Sequence, residues 1–575
     1  MKKAIQIMCA AAACVSLVSA ASAANVDWTR QLGTSVNDYG RGVSVDSSGN
    51  AYVTGYTAAG LDGNTSAGAD DIFLTKYDTD GAKQWTRQLG TSSTNHGYGV
   101  SVDSSGSAYV AGITNGGLDG NTSAGGTDIF LTKYSTDGVN QWTRQLGSTT
   151  SDWCYGVSVD SSGAAYITGY TYGGLDGNSN QGLADIYLTK YNTSGVKQWT
   201  RQLGAIGTDK GHGVSVDSSG AAYVTGYTNG ALDGNISVGS DDIILTKYNT
   251  NGVKQWTKQL GTSTVEYGYG VSVDSSGNAY VTGFTYGEFD GNTSAGGMDM
   301  FLTKYNTDGA EQWTEQLGST GGDRGYGVSI DSSGNAYVTG YTDGDLDGNA
   351  GAGDDDIFLT KYNTDGVKQW TEQLGSSSDD IGYGVSVDSS GNVCYVTGYT
   401  FGDLDGNTSA GGADMFLTKY IVAEPATQIT DPATDLQNGL PLETATVRPG
   451  GDDKMGGLYG IWLRGDGVGG DPDYRWSISG GPEGLPDTLL ATLGDTDLDG
   501  SLDDYFLTFA DLADAGARDR AETSPYTLRL EALDSGGLPI GGSESEISLL
   551  VPEPATLSLL ALGGLTVLRK RRRRS

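Results

Sequence analysis

The stretch Trp28-Thr-Arg-Gln-Leu-Gly33 decides how this chain folds, because close copies of it recur as far as residue 375. Self-similarity at a fixed period is the signature of a repeat architecture. The copies are too alike to carry seven different chemistries, so we expect function in what varies between them or in what they surround. The tryptophans that open the copies follow one another at intervals of 57 residues: Trp28, Trp85, Trp142, Trp199, Trp256, Trp313 and Trp370.

Each repeat contains four segments that are typical of β-strands. In the repeat that starts near Tyr98 they are residues 98–103, 108–114, 128–134 and 139–146. Polar and apolar residues alternate in them, β-branched and aromatic residues are enriched, and Asp-Gly or Ser-Gly pairs separate them. Four antiparallel strands repeated seven times predict an all-β fold, a seven-bladed β-propeller of four-stranded blades. An open β-solenoid is the alternative architecture for the same repeats.

The ends of the array predict how the propeller closes. The chain enters the array on the strand of Trp28 and leaves it on residues 417–420, Leu-Thr-Lys-Tyr, with no tryptophan strand after them. The seventh blade then lacks its fourth strand unless the N-terminal segment supplies it. We therefore expect Trp28 to pair beside residues 417–420, which joins the ends of the ring and removes an unpaired edge.

Two segments carry a family resemblance: Asp-Ser-Ser-Gly-Asn-Ala-Tyr-Val-Thr-Gly-Tyr-Thr at residues 46–57 and Asp-Ile-Phe-Leu-Thr-Lys-Tyr at residues 71–77. Both resemble the SBBP-type β-propeller repeat of secreted bacterial proteins, and the resemblance covers residues 26–420. It implies the propeller fold. It implies no catalytic residues, because the family shares none that could be carried over, and a propeller fold alone names no function.

The differences between blades concentrate on one face of the predicted propeller. The loop between the second and third strands and the link to the next blade open on this face. The short Asp-Ser-Ser-Gly and Asn-Thr-Asp-Gly turns lie on the opposite face and hardly vary. The varying positions, which we place just before each first strand, are Tyr39, His96, Trp153, Lys210, Tyr267, Arg324 and Ile381. Two residues after them come Arg41, Tyr98, Tyr155, His212, Tyr269, Tyr326 and Tyr383.

An acidic or amide residue precedes every varying position: Asp38, Asn95, Asp152, Asp209, Glu266, Asp323 and Asp380. Together the three sets predict an aromatic and acidic crown near the mouth of the central channel, suited to sugars or cationic groups. In the alternative interpretation the tyrosines pack between blades and the acids cap turns. The candidate ligand-binding residues are Tyr39, His96, Trp153, Lys210, Tyr267, Arg324, Tyr98, Tyr155 and His212.

The same face carries a Leu-Asp-Gly-Asn motif in six blades, at Leu61, Leu118, Leu175, Leu232, Leu346 and Leu404, with Phe289 replacing the leucine in the fifth. Each motif is followed by an aspartate just ahead of the third strand. Carboxylates and carbonyls are calcium ligands, so these loops could supply several oxygens. Asp-Gly and Asn are also ordinary turn residues, and both interpretations stay open.

The periodicity stops after residue 420. Prolines in residues 421–440 mark a linker, and residues 441–550 read as short strands that resemble a small Ig- or PKD-like β-sandwich. Within them Asp495, Asp497, Asp499 and Asp503 take positions 1, 3, 5 and 9 of an EF-hand-like loop, with Gly500 at position 6. Phe506 stands at position 12, where the bidentate acid is expected. Calcium is the predicted cofactor here, and a plain acidic turn is the alternative.

Both ends carry targeting signals. Residues 1–23 read as a signal peptide: two lysines, an apolar stretch rich in alanine, and Ala-Ser-Ala before the predicted cleavage site. That leaves Cys154 and Cys394, in different repeats, which we predict to be free thiols. At residues 551–575, Pro552, Glu553 and Pro554 precede an apolar run and a terminal basic run.

The terminal segment resembles the PEP-CTERM sorting signal. The resemblance implies an exosortase-type processing enzyme as partner, in a Gram-negative bacterium, and delivery to the cell surface or exopolysaccharide matrix. The protein would contact the membrane only through this segment, and only before processing. An ordinary C-terminal anchor is the alternative.

The net charge of the chain and the motifs in its sequence restrict the classes of function that we expect. The formal net charge of −36 disfavours nucleic acid, whose phosphates require clustered Lys and Arg. The two histidines fall in different repeats, and no His-Glu-x-x-His, Gly-x-Ser-x-Gly or paired-cysteine metal motif occurs in the sequence. We predict a surface or matrix protein without enzymatic activity that binds a glycan or protein ligand. A polysaccharide lyase or glycosidase, and a purely structural matrix component, are the other hypotheses.

Overall fold

A computed structural model describes residues 24–422 continuously and, beyond them, nine short strands. The predicted signal peptide, most of the linker, the loop from Asp495 to Asp503 and the Pro552–Pro554 motif lie outside the described residues. Residues 24–422 form one compact unit.

Residues 24–422 form seven four-stranded antiparallel sheets, so the prediction of a seven-bladed β-propeller is confirmed. Blade 1 is β2 (Asp38–Val45), β3 (Ala51–Thr57), β4 (Asp71–Tyr77) and β5 (Lys83–Leu89). Blade 2 is β6 (Asn95–Val102), β7 (Ala108–Thr114), β8 (Asp128–Tyr134) and β9 (Asn140–Leu146). Blade 3 is β10 (Asp152–Val159), β11 (Ala165–Thr171), β12 (Asp185–Tyr191) and β13 (Lys197–Leu203).

Blade 4 is β14 (Asp209–Val216), β15 (Ala222–Thr228), β16 (Asp242–Tyr248) and β17 (Lys254–Leu260). Blade 5 is β18 (Glu266–Val273), β19 (Ala279–Thr285), β20 (Asp299–Tyr305) and β21 (Glu311–Leu317). Blade 6 is β22 (Asp323–Ile330), β23 (Ala336–Thr342), β24 (Asp356–Tyr362) and β25 (Lys368–Leu374). Blade 7 is β26 (Asp380–Val387), β27 (Val393–Thr400), β28 (Asp414–Val422) and, from the other end of the array, β1 (Ala24–Leu32).

The first strand of each blade lies innermost, beside the first strands of both neighbours. A Cβ on Gly42 of β2 would come 3.0 Å from the carbonyl oxygen of Tyr98 in blade 2, which explains the glycine at this close approach. The register in β2 shifts between Gly40 and Gly42, so Arg41 is the extra residue of a β-bulge. Every first strand has this bulge at the equivalent position.

The hydrophobic core lies between adjacent blades. Tyr52 and Leu74 of blade 1 pack with Val110 and Phe130 of blade 2, and these four side chains are at most 1 % exposed. Burying one such side chain contributes roughly 1.5–3 kcal/mol, and similar clusters join the other blades. Blade-to-blade burial is therefore the main force that holds the ring together.

Polar contacts on the face of the short turns, the short-turn face, link neighbouring blades wherever the next blade has a turn between its third and fourth strands. The indole Nε1 of Trp85 donates to the carbonyl oxygen of Thr136 at 3.3 Å, and Arg87 Nε donates to the carbonyl oxygen of Gly138 at 2.8 Å. The tryptophan strand is thus a structural element that holds the next blade's turn, which explains its uniformity.

The ring closes as the sequence predicts. β1 pairs antiparallel with β28, with Trp28 opposite Lys419 and Thr29 opposite Thr418. The indole of Trp28 donates to the carbonyl oxygen of Thr79 in blade 1, so the N-terminal strand makes the same contact as the fourth strands of other blades. Both described cysteines are free and buried, as predicted.

Beyond Val422 the strands pair antiparallel in two sheets. One sheet contains β29 (Thr427–Ile429), β30 (Thr444–Pro449), β31 (Tyr459–Arg464) and β34 (Tyr505–Thr508). The other contains β32 (Tyr474–Gly480), β33 (Leu485–Leu493), β35 (Tyr526–Leu533), β36 (Pro539–Leu549) and β37 (Val567–Leu568). The Ig- or PKD-like sandwich stays a prediction. Within the part of the chain that the structure covers, no helix is long and apolar enough to cross a membrane.

Candidate ligand-binding face

Seven side chains from the bulges of the first strands form a belt around the propeller axis. Tyr98 and Tyr155 have ring centroids 5.0 Å apart, and the next four contacts around the axis measure 4.7–5.1 Å. Arg41 continues the belt, with its guanidinium carbon 4.1 Å from the ring of Tyr383. The belt consists of Arg41, Tyr98, Tyr155, His212, Tyr269, Tyr326 and Tyr383.

The varying residues, which precede the belt residues by two positions in sequence, lie at the junctions between blades. They are part of the first strands and do not precede them. The prediction was wrong on this point: β2 already begins at Asp38, so Tyr39 lies inside the strand, and the same holds in every blade. First strands begin with sequences such as Asn95-His96-Gly97 and Asp38-Tyr39-Gly40. Their glycines and the bulge interrupt the alternation that marks a strand, so these residues resemble a turn in the sequence.

Six of the seven junction residues lie against an aromatic residue of a second strand. Tyr39 contacts Tyr56 of its own blade at 5.0 Å and Tyr399 of blade 7 at 4.8 Å. Tyr267 stacks on Tyr227 of the preceding blade at 4.0 Å. Trp153 is parallel to Tyr170 of its own blade at 6.1 Å. The tyrosines thus pack between blades, as the alternative interpretation held, while remaining half-buried on the face.

The cationic junction residues lie over ring faces. The Nζ of Lys210 is 4.6 Å from the ring of Tyr170, and the guanidinium of Arg324 is 4.9 Å from the ring of Phe284. Burial lowers the pKa of Lys210, against the attraction of Asp241. These contacts show that the junctions accommodate cationic groups against aromatic rings.

The second histidine, His212, lies in the belt. Its ring is 5.0 Å from that of Tyr155 and 5.1 Å from that of Tyr269. Burial, together with the charge of Lys210, lowers the pKa of His212 to about 3, so the imidazole is neutral at physiological pH. His212 lies beside Tyr155, and its surroundings make it part of the packed floor of the candidate surface.

A hydrogen-bonded chain at the junction of blades 1 and 2 was not foreseen from the sequence. His96 Nε2 lies 3.0 Å from a carboxylate oxygen of Asp70, and His96 Nδ1 lies 3.1 Å from the hydroxyl of Tyr98. The imidazole also stacks on Tyr56 at 3.8 Å. The same offset recurs in blades 4 and 5, where Asp241 accepts from the hydroxyl of Tyr267 at 3.2 Å. That recurrence is the one signal that could have revealed the pairing.

The acidic half of the predicted crown is absent, because the acids before the junction residues are fully buried. Asp152 caps the preceding link by accepting from the backbone N–H of Ser148 at 2.6 Å. Thr171 donates to its other oxygen. Burial raises the pKa of Asp152 despite these bonds. These carboxylates cap turns, and a ligand on the face would meet other acids, such as Asp70, Asp241 and Asp355.

The Leu-Asp-Gly-Asn loops have a structural role that is visible in blade 1. Leu61 is fully buried, Asp62 adopts a left-handed φ of 55°, and the side-chain amide of Asn64 donates to the carbonyl oxygen of Leu61 at 2.9 Å. The carboxylate of Asp62 forms an ion pair with Lys83. No cluster of three or more potential metal-binding side chains occurs among the described residues. Calcium binding by these loops stays a prediction.

The aspartate that follows each loop holds the fourth strand. In blade 2 the side-chain amide of Gln145 donates to Asp128 Oδ2 at 2.7 Å. A Cβ on Gly147 would lie 2.1 Å from Asp128 Oδ1, so the glycine that ends the tryptophan motif leaves room for this carboxylate. All seven blades repeat the arrangement, and these aspartates are accordingly structural.

Taken together, the junction residues, the aromatic residues of the second strands and the belt form a two-layered aromatic surface on the face opposite the short turns. We call it the candidate face. Three aromatic side chains that are 41–48 % exposed extend it outward, each 5.5–5.7 Å from a ring of the inner set: Tyr172, Tyr286 and Phe401.

The fold and this surface define a repeat protein of the seven-bladed β-propeller class. Comparison with protein families then shows that the chain carries seven SBBP β-propeller repeats and a PEP-CTERM protein-sorting motif, the latter at residues 550–574. The repeats match at residues 27–62, 84–119, 141–176, 198–232, 255–290, 312–347 and 369–405. The motif indicates export and a cell-envelope sorting tail, and it implies processing by exosortase-type machinery.

Two curated proteins are similar to this chain. The regulatory protein FlaEY of Caulobacter vibrioides is 27 % identical over 393 residues, which cover 60 % of this chain and 41 % of that protein. An uncharacterised WD repeat-containing protein of Acanthamoeba polyphaga mimivirus is 22 % identical over 485 residues, which cover 64 % of this chain and 34 % of that protein. The chain therefore spans less than half the length of these relatives.

Proposed function

We propose that the candidate face binds a glycan of the bacterial surface or extracellular matrix, and that this binding is the main function of the propeller. The observation that carries the proposal is the continuity of aromatic rings from the exposed Tyr172 through Tyr170 to Tyr155 in the belt, in contacts of 5.5 and 6.0 Å. Sugar rings present apolar C–H faces that pack on such rings. Repeats and sorting motif together suit an exported, surface-associated repeat protein.

Charge narrows the glycan class. The chain has a formal net charge of −36, so it repels polyanions at a distance. Neutral or amine-bearing glycans avoid this cost. The hydrogen-bonding groups that would orient a sugar are already on the face, among them Asp241 and the hydroxyl of Tyr267. A protein ligand is the second occupant that such a surface could take.

Delivery and location belong to the same proposal. After export, an exosortase-type enzyme would process the tail that contains Pro552, Glu553 and Pro554, and release the protein to the surface or exopolysaccharide matrix of a Gram-negative bacterium. Within that matrix a glycan-binding propeller would act as a cross-linker or anchor. A purely structural matrix component would need the repeats but not the variation on the candidate face.

Trp153 gives the direct test. Trp153 is half-buried on the candidate face, so a bound sugar would alter the fluorescence of its indole. Replacing Trp153 would remove part of the surface that the sugar contacts. We expect the full chain to bind members of a glycan array, and Trp153→Phe to lower both the affinity and the ligand-dependent fluorescence change. The matched variant Trp313→Phe, on an outer strand, should leave both unchanged. Equal binding by wild type and Trp153→Phe, or binding only to proteins, would reject the glycan proposal.

Calcium is proposed as a structural ion of the C-terminal part, held by Asp495, Asp497, Asp499 and Asp503. The support is the spacing of these acids, since carboxylates at alternate positions around a glycine suit the coordination of calcium. Calorimetric titration of the full chain with calcium should give heat of binding that Asp497→Ala reduces. No heat, or no difference between the two proteins, would reject the site.

A further inference from the structure

The junction of blades 1 and 2 differs chemically from the other six. Of the seven junction residues only His96 carries an imidazole, and it bridges Asp70 at 3.0 Å and Tyr98 at 3.1 Å. The side chains of His96 and Asp70 are 17 % and 29 % exposed, so both can be reached from the candidate face. Three side chains from two blades thus form one accessible hydrogen-bonded chain.

The chemistry of the three groups fixes the direction of their hydrogen bonds. An ionised carboxylate only accepts, so His96 Nε2–H donates to Asp70. His96 Nδ1 is then the acceptor, and the hydroxyl of Tyr98 donates to it. Burial lowers the pKa of His96, while Asp70 acts in the opposite direction. The imidazole is therefore neutral at neutral pH and able to take a proton.

This order of groups is that of a nucleophile, a general base and an orienting acid. Stacking on Tyr56 at 3.8 Å, with the two planes 19° apart, holds the imidazole in its plane. Arg41 Nη2 donates to the hydroxyl of the same Tyr56 at 2.9 Å. Burial, followed by the neighbouring Tyr56, raises the pKa of Tyr98 above its ordinary value, and the positive charge of Arg41 acts in the opposite direction. Removal of the phenolic proton therefore depends on His96 as the base.

We propose that Tyr98, His96 and Asp70 hydrolyse an acyl ester on the glycan that the candidate face binds. The inference rests on the proposed glycan-binding function and adds an activity to it. The substrate class is a neutral, O-acylated glycan, because the acidic chain disfavours polyanions.

The steps balance with water as the only co-reactant. The Tyr98 oxygen attacks the acyl carbon while His96 Nδ1 takes the phenolic proton. The ester C–O bond then breaks, and His96 returns the proton to the departing sugar oxygen. Water then attacks the acyl-tyrosine while His96 takes its proton. The bond between the acyl carbon and the Tyr98 oxygen breaks, His96 passes that proton to the Tyr98 oxygen, and the carboxylic acid leaves. Asp70 is the positioning residue, since it holds the imidazole and stabilises its protonated form.

The test measures acetate release from O-acetylated xylo-oligosaccharides by the full chain. We expect Tyr98→Phe to lower the rate at least about a hundredfold, because the variant lacks the oxygen that attacks the acyl carbon. The control Tyr109→Phe removes a hydroxyl group in the same blade. That hydroxyl donates to the carbonyl oxygen of Gly163 on the short-turn face, so the rate of acetate release should be unchanged. Mass spectrometry of the wild type after rapid quenching should find an acetyl group on Tyr98, which does not require a variant that folds.

Four outcomes would overturn the proposal. They are an unchanged rate in Tyr98→Phe, acetylation of His96 instead of Tyr98, no acetate release although the deacetylated oligosaccharide binds, and no binding of either oligosaccharide. The third outcome leaves the proposed glycan-binding function standing, whereas the fourth removes both for this glycan.

Discussion

Thr29 and Thr418 lie directly opposite each other across the seam of the propeller, with their hydroxyl oxygens 3.1 Å apart. Both side chains are buried, and 389 residues separate them in sequence. The two ends of a chain that runs once around the ring are thus held by one pair of antiparallel strands. Opening this pair would leave blade 7 with three strands and an exposed edge.

This seam predicts a large stabilisation from a single cross-link. In Thr29→Cys/Thr418→Cys a disulfide would close almost the whole ring, and in Thr75→Cys/Thr86→Cys it would close a loop within blade 1 from an equivalent pair 3.2 Å apart. The difference in loop-closure entropy is about 3 kcal/mol in favour of the seam. Thermal unfolding with and without reductant should show the larger gain for the seam. An equal gain would contradict the dependence of the stabilisation on the length of the closed loop.

Gly147→Ala should destabilise blade 2, because the new Cβ would lie 2.1 Å from Asp128 Oδ1. Overpacking of this kind costs about 1–3 kcal/mol in the free energy of unfolding. In the background of Asp128→Ala the clash disappears, so the cost of Gly147→Ala should shrink. A double-mutant cycle by urea denaturation measures the difference, and additive effects of the two changes would contradict the contact.

Blade 5 carries an acid pair where blades 1, 3, 4 and 6 have an ion pair. Lys254 pairs with Asp233 in blade 4, but Glu311 faces Asp290 at the equivalent place. Burial and Asp290 raise the pKa of Glu311 to about 7. The folded state therefore binds this proton more tightly than the unfolded state, and stability falls as the pH rises from about 5 through 7.

Glu311→Lys should accordingly raise the melting temperature at pH 8 and have a smaller effect at pH 5. The gain is that of a partly exposed pair, a few tenths to about 1 kcal/mol. Lys254→Glu is the reverse change in blade 4 and should lower the melting temperature at pH 8 more than at pH 5. Parallel shifts at both pH values would show that the two carboxyl groups do not interact.

Asp355 on the candidate face predicts a second pH effect. Burial, followed by the charges of Asp379, Asp343 and Asp354, raises the pKa of Asp355 to about 6, while Arg324 lowers it. Its contribution to stability therefore falls as the pH rises from about 4 through 6. Asp355→Asn should raise the melting temperature at pH 7.5 and leave it nearly unchanged at pH 4.

The control for Asp355 is Asp80→Asn, at an exposed short turn. It removes the same charge and should show no such pH dependence. If both variants respond alike, the effect comes from net charge and the local repulsion around Asp355 is negligible.

The sequence by itself determined the number of blades, the four strands in each and the closure by Trp28. These features follow from local patterns that repeat seven times, and a count of strands at the two ends suffices to place the seam. Boundaries of the second and third strands, such as Ala108–Thr114 and Asp128–Tyr134, were predicted without error for the same reason. The first strands begin earlier than predicted, because a glycine-flanked bulge breaks the alternation that marks a strand.

Only the tertiary structure decided what the varying residues do. His96, for example, contacts Asp70 and Tyr56 of the preceding blade, which are 26 and 40 residues away in sequence. The acids beside these positions are buried as turn caps, although their composition suggests an exposed crown. Both outcomes depend on how adjacent blades pack, and sequence periodicity does not contain that information: strand pairing is local within a repeat, whereas burial and partners arise between repeats.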